Sequence, residues 1–280
     1  METSSLKSDF VNVNGVRLHY LDWGGTGDVL LLLAGFGDDA NIFDGFSQKF
    51  TDRFHVIGLT RRGSGESDKP QTGYDTATRV EDIRHFLDMI KSEKVTIIGH
   101  SMAGDEVTLF ASLYPTRVNK LIYLDAAYDR RRTADITLSD PATPPLFRRL
   151  FLEVLESPDA AQIAVSDMPP LDEWERYKAI ITAMTTFQTD YAQVKAPALA
   201  FYAMPEHHPY IPPQAAEEIQ KSMNDWWVKN GISYIRMCIE QFLREARHSQ
   251  VVEMKDANHY LFLGDRQDVV VSRIREFLSK

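Results

Sequence analysis

The sequence predicts an α/β protein built on a mostly parallel sheet. Three observations carry that reading. Short apolar runs at Val29 to Leu33, Phe54 to Leu59, Val95 to Ile98, Leu121 to Leu124 and Ala198 to Ala203 have the length of strands buried on both faces. Amphipathic stretches separate several of them, and strand–helix alternation makes a parallel sheet. A tight turn of small residues, Gly99-His100-Ser101-Met102-Ala103, joins the third run directly to a helical pattern.

The elements follow in order. Val11 to Tyr20 alternates around Asn14-Gly15, a short-range hairpin signal, so two antiparallel strands open the fold. Val29 to Leu33 and Phe54 to Leu59 are the next strands. Thr78 to Ile90 carries Val80, Ile83, Leu87 and Ile90 at helical spacing, and Thr78 with Glu81 could form a capping box. Val95 to Ile98 leads into the turn, Glu106 to Leu113 continues the following helix, and Leu121 to Leu124 is a further strand. Residues 127–196 hold no convincing strand and are broken by Pro141, Pro144-Pro145 and Pro169-Pro170, which reads as a helical insertion. Ala198 to Ala203 resumes the sheet. Gln214 to Arg247 is mostly helical, Gln250 to Met254 is the last strand and Asp268 to Leu278 is a closing helix.

Bulk properties narrow the function classes. With 280 residues, 44% of them hydrophobic, the chain can bury a large core without disulfides. Cys238 is the only cysteine, which excludes an intrachain disulfide and a paired-cysteine metal site. A net charge of −9 argues against nucleic acid or an anionic membrane as partner, since both need a basic face. The triplet Arg130-Arg131-Arg132 reads as a solvated loop. Met1 to Asp9 lacks a basic-then-apolar leader pattern, so a cytoplasmic home is expected. His207-His208 lacks a convincing third ligand, and no metal is expected.

The turn at Ser101 has the layout of a nucleophile elbow, in which a sharp strand-to-helix bend exposes a serine above the sheet. Its last position is Ala103 where glycine is usual. Ligands of parallel sheets bind beyond the carboxyl ends of the strands, so the residues just after each strand matter. After Val29 to Leu33 comes Ala34-Gly35-Phe36-Gly37, where the Phe36 N–H could meet a developing oxyanion together with the Met102 N–H at the helix start. After Ala198 to Ala203 comes Glu206, and after the last strand comes His259. A nucleophile, an acid and a base thus follow strands in the order Ser, Glu, His.

With these motifs, joined by Arg62-Gly63-Ser64-Gly65-Glu66-Ser67 and Leu121 to Asp125, the chain resembles the α/β-hydrolase superfamily over nearly its whole length. Within it the chain is similar to the serine esterase and lipase-like branch with a helical cap. The resemblance implies an eight-stranded, mostly parallel sheet with helices on both faces, a core of residues 1–126 and 197–280, and a cap of residues 127–196. It implies Ser101 as nucleophile, His259 as base, and Phe36 and Met102 as oxyanion donors, with no cofactor. The acid is expected at Glu206, nine residues after Pro197; Asp125, at the end of the preceding strand, is the rival. Departures are Ala34 where the family commonly has His, and Thr60 where it usually has Asp. Epoxide hydrolases and haloalkane dehalogenases share the fold but use an Asp nucleophile, against which Ser101 argues. Trp174, Tyr177 and Ile181 share a helix face and are the expected pocket lining, giving an apolar site for small to medium uncharged esters. A ligand receptor with little turnover, a lactonase and a C–C bond hydrolase are the alternatives. The oligomeric state is not set by the sequence.

Overall fold

The computed structural model describes residues 6–132, 173–207 and 216–280. The eight strands are β1 (Lys7–Val13), β2 (Val16–Gly24), β3 (Val29–Leu33), β4 (His55–Leu59), β5 (Val95–His100), β6 (Val118–Leu124), β7 (Ala198–Met204) and β8 (Ser249–Lys255). They form one sheet in the order β1-β2-β4-β3-β5-β6-β7-β8. The pairs β1–β2 and β2–β4 are antiparallel, and β4 through β8 run parallel. The chain has the α/β-hydrolase fold that the motifs implied.

Local chemistry accounts for the elements. Asn14 and Gly15 both take positive φ, 48° and 78°, as a two-residue hairpin turn with the native strand twist requires, and Val13 pairs with Val16. The β3 run is apolar throughout because both its faces are covered. Leu31 and Leu33 join a core with Val107, Phe110 and Phe242, while Leu30 and Leu32 join another with Phe43, Phe262 and Phe277. Successive strand residues point to opposite faces, which splits the run between the two layers. The first layer holds α2 (Thr76–Met89), α3 (Ala103–Leu113) and α6 (Ile232–Glu245). The second holds α1 (Asp44–Ser47) and α7 (Gln267–Leu278).

Two boundaries differ from the sequence reading. Helix α2 starts before Thr78: Asp75 is the N-cap, and its carboxylate accepts from the Thr78 N–H (2.8 Å) and hydroxyl (2.7 Å). A carboxylate caps at least as well as a threonine and sits three residues earlier, so it displaces the expected capping box. The long helical stretch is α5 (Glu217–Trp226) and α6 joined by a π-helical turn, Trp227–Gly231. The expected insertion lies between β6 and β7; its described parts are 127–132 and 173–196, including α4 (Trp174–Thr186), and the rest of it lies outside the described residues. Among the described residues no helix is long and apolar enough to cross a membrane.

Candidate active site

Strand β5 ends at His100, and Ser101 turns the chain with φ 52°, the left-handed region that a non-glycine residue occupies at an energetic cost. The surrounding small residues make the bend possible. A Cβ on Gly99 would come within 2.7 Å of Val107 Cγ2, and one on Gly104 would overlap the Ala126 carbonyl. Ala103 is fully buried, and its methyl group is accommodated where glycine is usual. A Cβ on Gly35 would meet Ser101 Cβ at 3.1 Å, so the turn after β3 lies directly against the serine.

His259 follows β8, and its Nδ1 donates to Asp125 Oδ2 at 2.6 Å. The partner of the imidazole is therefore Asp125 and not Glu206, which is exposed beyond the end of β7. Asp125 is held for this contact. Its Oδ1 accepts from Ala203 N–H (2.8 Å) and Tyr128 Oη (2.5 Å), and its own N–H donates to the Phe201 carbonyl (2.9 Å). With Nδ1 donating to a carboxylate, Nε2 is left as the free, basic nitrogen.

His100 joins the serine and the histidine. It is fully buried, its Nε2 donates to the His259 backbone carbonyl (3.1 Å), and the two rings lie 4.6 Å apart. Its Nδ1 has no hydrogen-bond partner among the described residues. Burial, then the neighbouring His259, hold its pKa well below the ordinary histidine value, so the ring is neutral.

Two peptide planes are fixed from behind by arginines. Arg61 Nη2 donates to the Ala34 carbonyl and to the Gly35 carbonyl (3.0 Å). In a trans peptide the C=O and the next N–H point opposite ways. Clamping Gly35 C=O therefore aims Phe36 N–H away from Arg61. Likewise Ser101 C=O accepts from Gly104 N–H (3.0 Å) and Arg130 Nη2 (2.7 Å), which orients Met102 N–H. Arg130 is thus not a solvated loop residue: its Nη1 also pairs with buried Asp105 at 2.9 Å. Burial raises the Asp105 carboxyl pKa to about 6.

Phe36 and Met102 also border a cavity of about 80 Å³. Of the expected lining, Tyr177 is there, edge-to-face with Phe36 at 5.2 Å. Ile181 is not among the lining residues, and the Trp174 side chain lies outside the described residues. The face of α4 turned to the cavity is Arg176, Tyr177 and Ile180, preceded by Glu173, about one residue out of phase with the expected stripe. The apolar pocket is corrected too. Among the described residues the walls carry Arg61, Arg62, Lys69, Arg79 and Arg176 against the single carboxylate Glu173. Hydropathy at helical spacing could not show this, because most of these cations come from the loop after β4 and from α2.

The comparisons agree with the architecture. Residues 28–164 match the family model described as the alpha/beta hydrolase fold. An uncharacterized protein of Mycobacterium tuberculosis is 37% identical over 117 residues, 42% of this chain and 34% of that protein. The soluble epoxide hydrolase of Corynebacterium sp. is 34% identical over 113 residues, 40% of this chain and 39% of that enzyme. The chain thus spans little more than a third of the length of these curated relatives. The enol-lactonase from Burkholderia xenovorans LB400 superimposes with a TM-score of 0.66 at 18% identity, covering 97% of this chain and 100% of that one. Sequence motifs, sheet topology and comparisons agree that the chain has the α/β-hydrolase fold.

Proposed function

We propose that the chain is a serine hydrolase that cleaves carboxylic esters through an acyl-serine. The supporting observation is a left-handed serine at a strand-to-helix elbow, next to His100, whose ring bonds the backbone of a histidine that is itself bonded to Asp125. His259 Nε2 takes the Ser101 hydroxyl proton as Oγ attacks the ester carbonyl, and Asp125 holds the tautomer and stabilises the imidazolium. Phe36 and Met102 N–H groups receive the oxyanion; one such donor is typically worth about 10² to 10³ in rate. The tetrahedral intermediate expels the alcohol, which takes the proton from His259. Water, deprotonated by the same imidazole, then releases the acid. Serine at position 101 speaks against the aspartate-ester chemistry of epoxide hydrolases.

Lactone opening is a second reading, favoured by the small cavity, since a cyclic ester meets the same groups. The test is fluorophosphonate labelling with turnover of nitrophenyl esters and a γ-lactone. Labelling and turnover that both vanish in Ser101→Ala are expected. Turnover that survives in Ser101→Ala, or styrene oxide opened with esters untouched, overturns the reading.

A further inference from the structure

The cavity beside Phe36 and Met102 is basic in a chain whose net charge is −9. Most of its cations are already committed. Arg62 is bidentate to Asp82 (2.5 and 2.6 Å), and Arg61 spans two carbonyls and Glu106. Arg79 and Arg176 are different. Arg79 is 2% exposed; its Nε lies 3.2 Å from Glu106 Oε1 and its Nη1 contacts the Met102 sulfur at 3.2 Å, a weak acceptor. Its Nη2 has no hydrogen-bond partner among the described residues. Arg176 spends Nη2 on Glu173 and leaves Nε buried with no hydrogen-bond partner among the described residues.

Buried donors without acceptors each cost roughly 1–3 kcal/mol, and a charged group costs more, so such donors in a cavity point to a ligand that accepts from them. The five wall cations face three carboxylates in contact with them: Glu106, Asp82 and Glu173. A water needs roughly 10–15 Å³ of such space, so about 80 Å³ admits a small acid group.

We propose that this cavity binds a carboxylate of the substrate, held by Arg79 and Arg176, so that the preferred substrate is a half-ester or lactone bearing a free acid a few atoms from the reacting carbonyl. This rests on the ester-cleaving reading above and narrows its substrate class. A guanidinium donates two parallel N–H bonds to a planar carboxylate, whereas an uncharged ester leaves these donors bare.

The experiment compares 4-nitrophenyl hemisuccinate with 4-nitrophenyl butyrate, alongside titration of Ser101→Ala protein with succinate, succinamide and inorganic phosphate followed by thermal shift. Wild type should favour the hemisuccinate at least tenfold in kcat/KM. Arg176→Gln, near the cavity rim, should collapse that ratio at least tenfold, and Arg79→Lys should lower it if it folds. Succinate, and not succinamide, should raise Tm by several degrees, and Arg176→Gln introduced into the Ser101→Ala protein should remove that shift. Equal, Ser101-dependent turnover of both esters overturns the carboxylate site and leaves the esterase reading standing. Turnover of neither, with no fluorophosphonate labelling, overturns the esterase reading; the succinate titration then decides the site alone. A shift with phosphate but not succinate overturns the carboxylate assignment.

Discussion

Replacing Asp125 by asparagine changes one atom and separates the two candidate acids. In the native protein Oδ1 is taken by Ala203 N–H and Tyr128 Oη, and Oδ2 faces His259 Nδ1 at 2.6 Å. Ala203 N–H can only donate, so the asparagine carbonyl oxygen must stay on that side. The new NH₂ then points at His259 Nδ1 and donates to it. That forces the proton onto Nε2, the nitrogen that must be bare to deprotonate Ser101. Inverting the tautomer of a triad histidine costs about 10⁴ in kcat, or ~5.5 kcal/mol at 1.36 kcal/mol per decade. Folding should suffer little, since both contacts of Oδ1 survive. The assay is steady-state hydrolysis of a nitrophenyl ester at pH 7.5, with Glu206→Gln beside it. Glu206 is exposed, and its variant should stay within about twofold, the range of a surface change. An Asp125→Asn enzyme within tenfold of wild type, or a Glu206→Gln enzyme that is crippled, would refute the assignment.

Three further outcomes follow from the same geometry. Arg61→Lys loses the fork that grips Ala34 and Gly35, so kcat should fall about 10- to 10³-fold with KM less changed, because the mutation loosens one oxyanion donor; an unchanged kcat in a folded variant would remove Arg61 from the role. His100 is buried neutral with its folded pKa below the unfolded value of about 6.5, so the unfolded chain binds more protons below that pH. Its contribution to stability is complete above pH 6.5 and is lost as pH falls toward the folded pKa, at up to about 1.4 kcal/mol per pH unit. His100→Gln should therefore show a smaller drop in Tm between pH 7 and pH 5 than wild type; an equal drop contradicts the neutral, buried ring. Gly104→Ala would drive a methyl group into the Ala126 carbonyl, and a loss of at least about 3 kcal/mol in urea unfolding is expected; a loss under 1 kcal/mol would mean the elbow has slack.

The sheet was legible because its central strands are continuous apolar runs and its helices are periodic. The elbow was legible because Gly99, Ser101 and Ala103 run from the end of β5 into α3 without a break. The acid was not. Strands β6 and β7 are hydrogen-bonded neighbours, with Leu124 opposite Phe201, so carboxylates beyond either strand reach the same region of space. Counting nine residues from Pro197 measures distance along the chain and cannot choose between two adjacent strand ends. Asp125 wins because it lies one residue past β6, with its backbone bonded to Phe201, while Glu206 lies two past β7 and points outward. The arginines were illegible for another reason. A charge in sequence is read as solvated, and burial of Arg61, Arg79 and Arg130 depends on carbonyls and carboxylates supplied from Ala34, Glu106, Ser101 and Asp105, far away along the chain.

Arg130 stands six residues beyond β6, past the point where core was expected to give way to insertion, yet its guanidinium steadies the peptide after the serine. Tyr202 and Tyr234 reach the backbone at Ala127 and Asp129 and stitch this stretch to the body of the protein. Anyone grafting a foreign lid onto this scaffold at residue 127 would therefore carry off a strut of the proposed reaction centre with it. A splice placed after Arg132 keeps the strut, and the two chimeras should part company in turnover number well before they differ in which esters they accept.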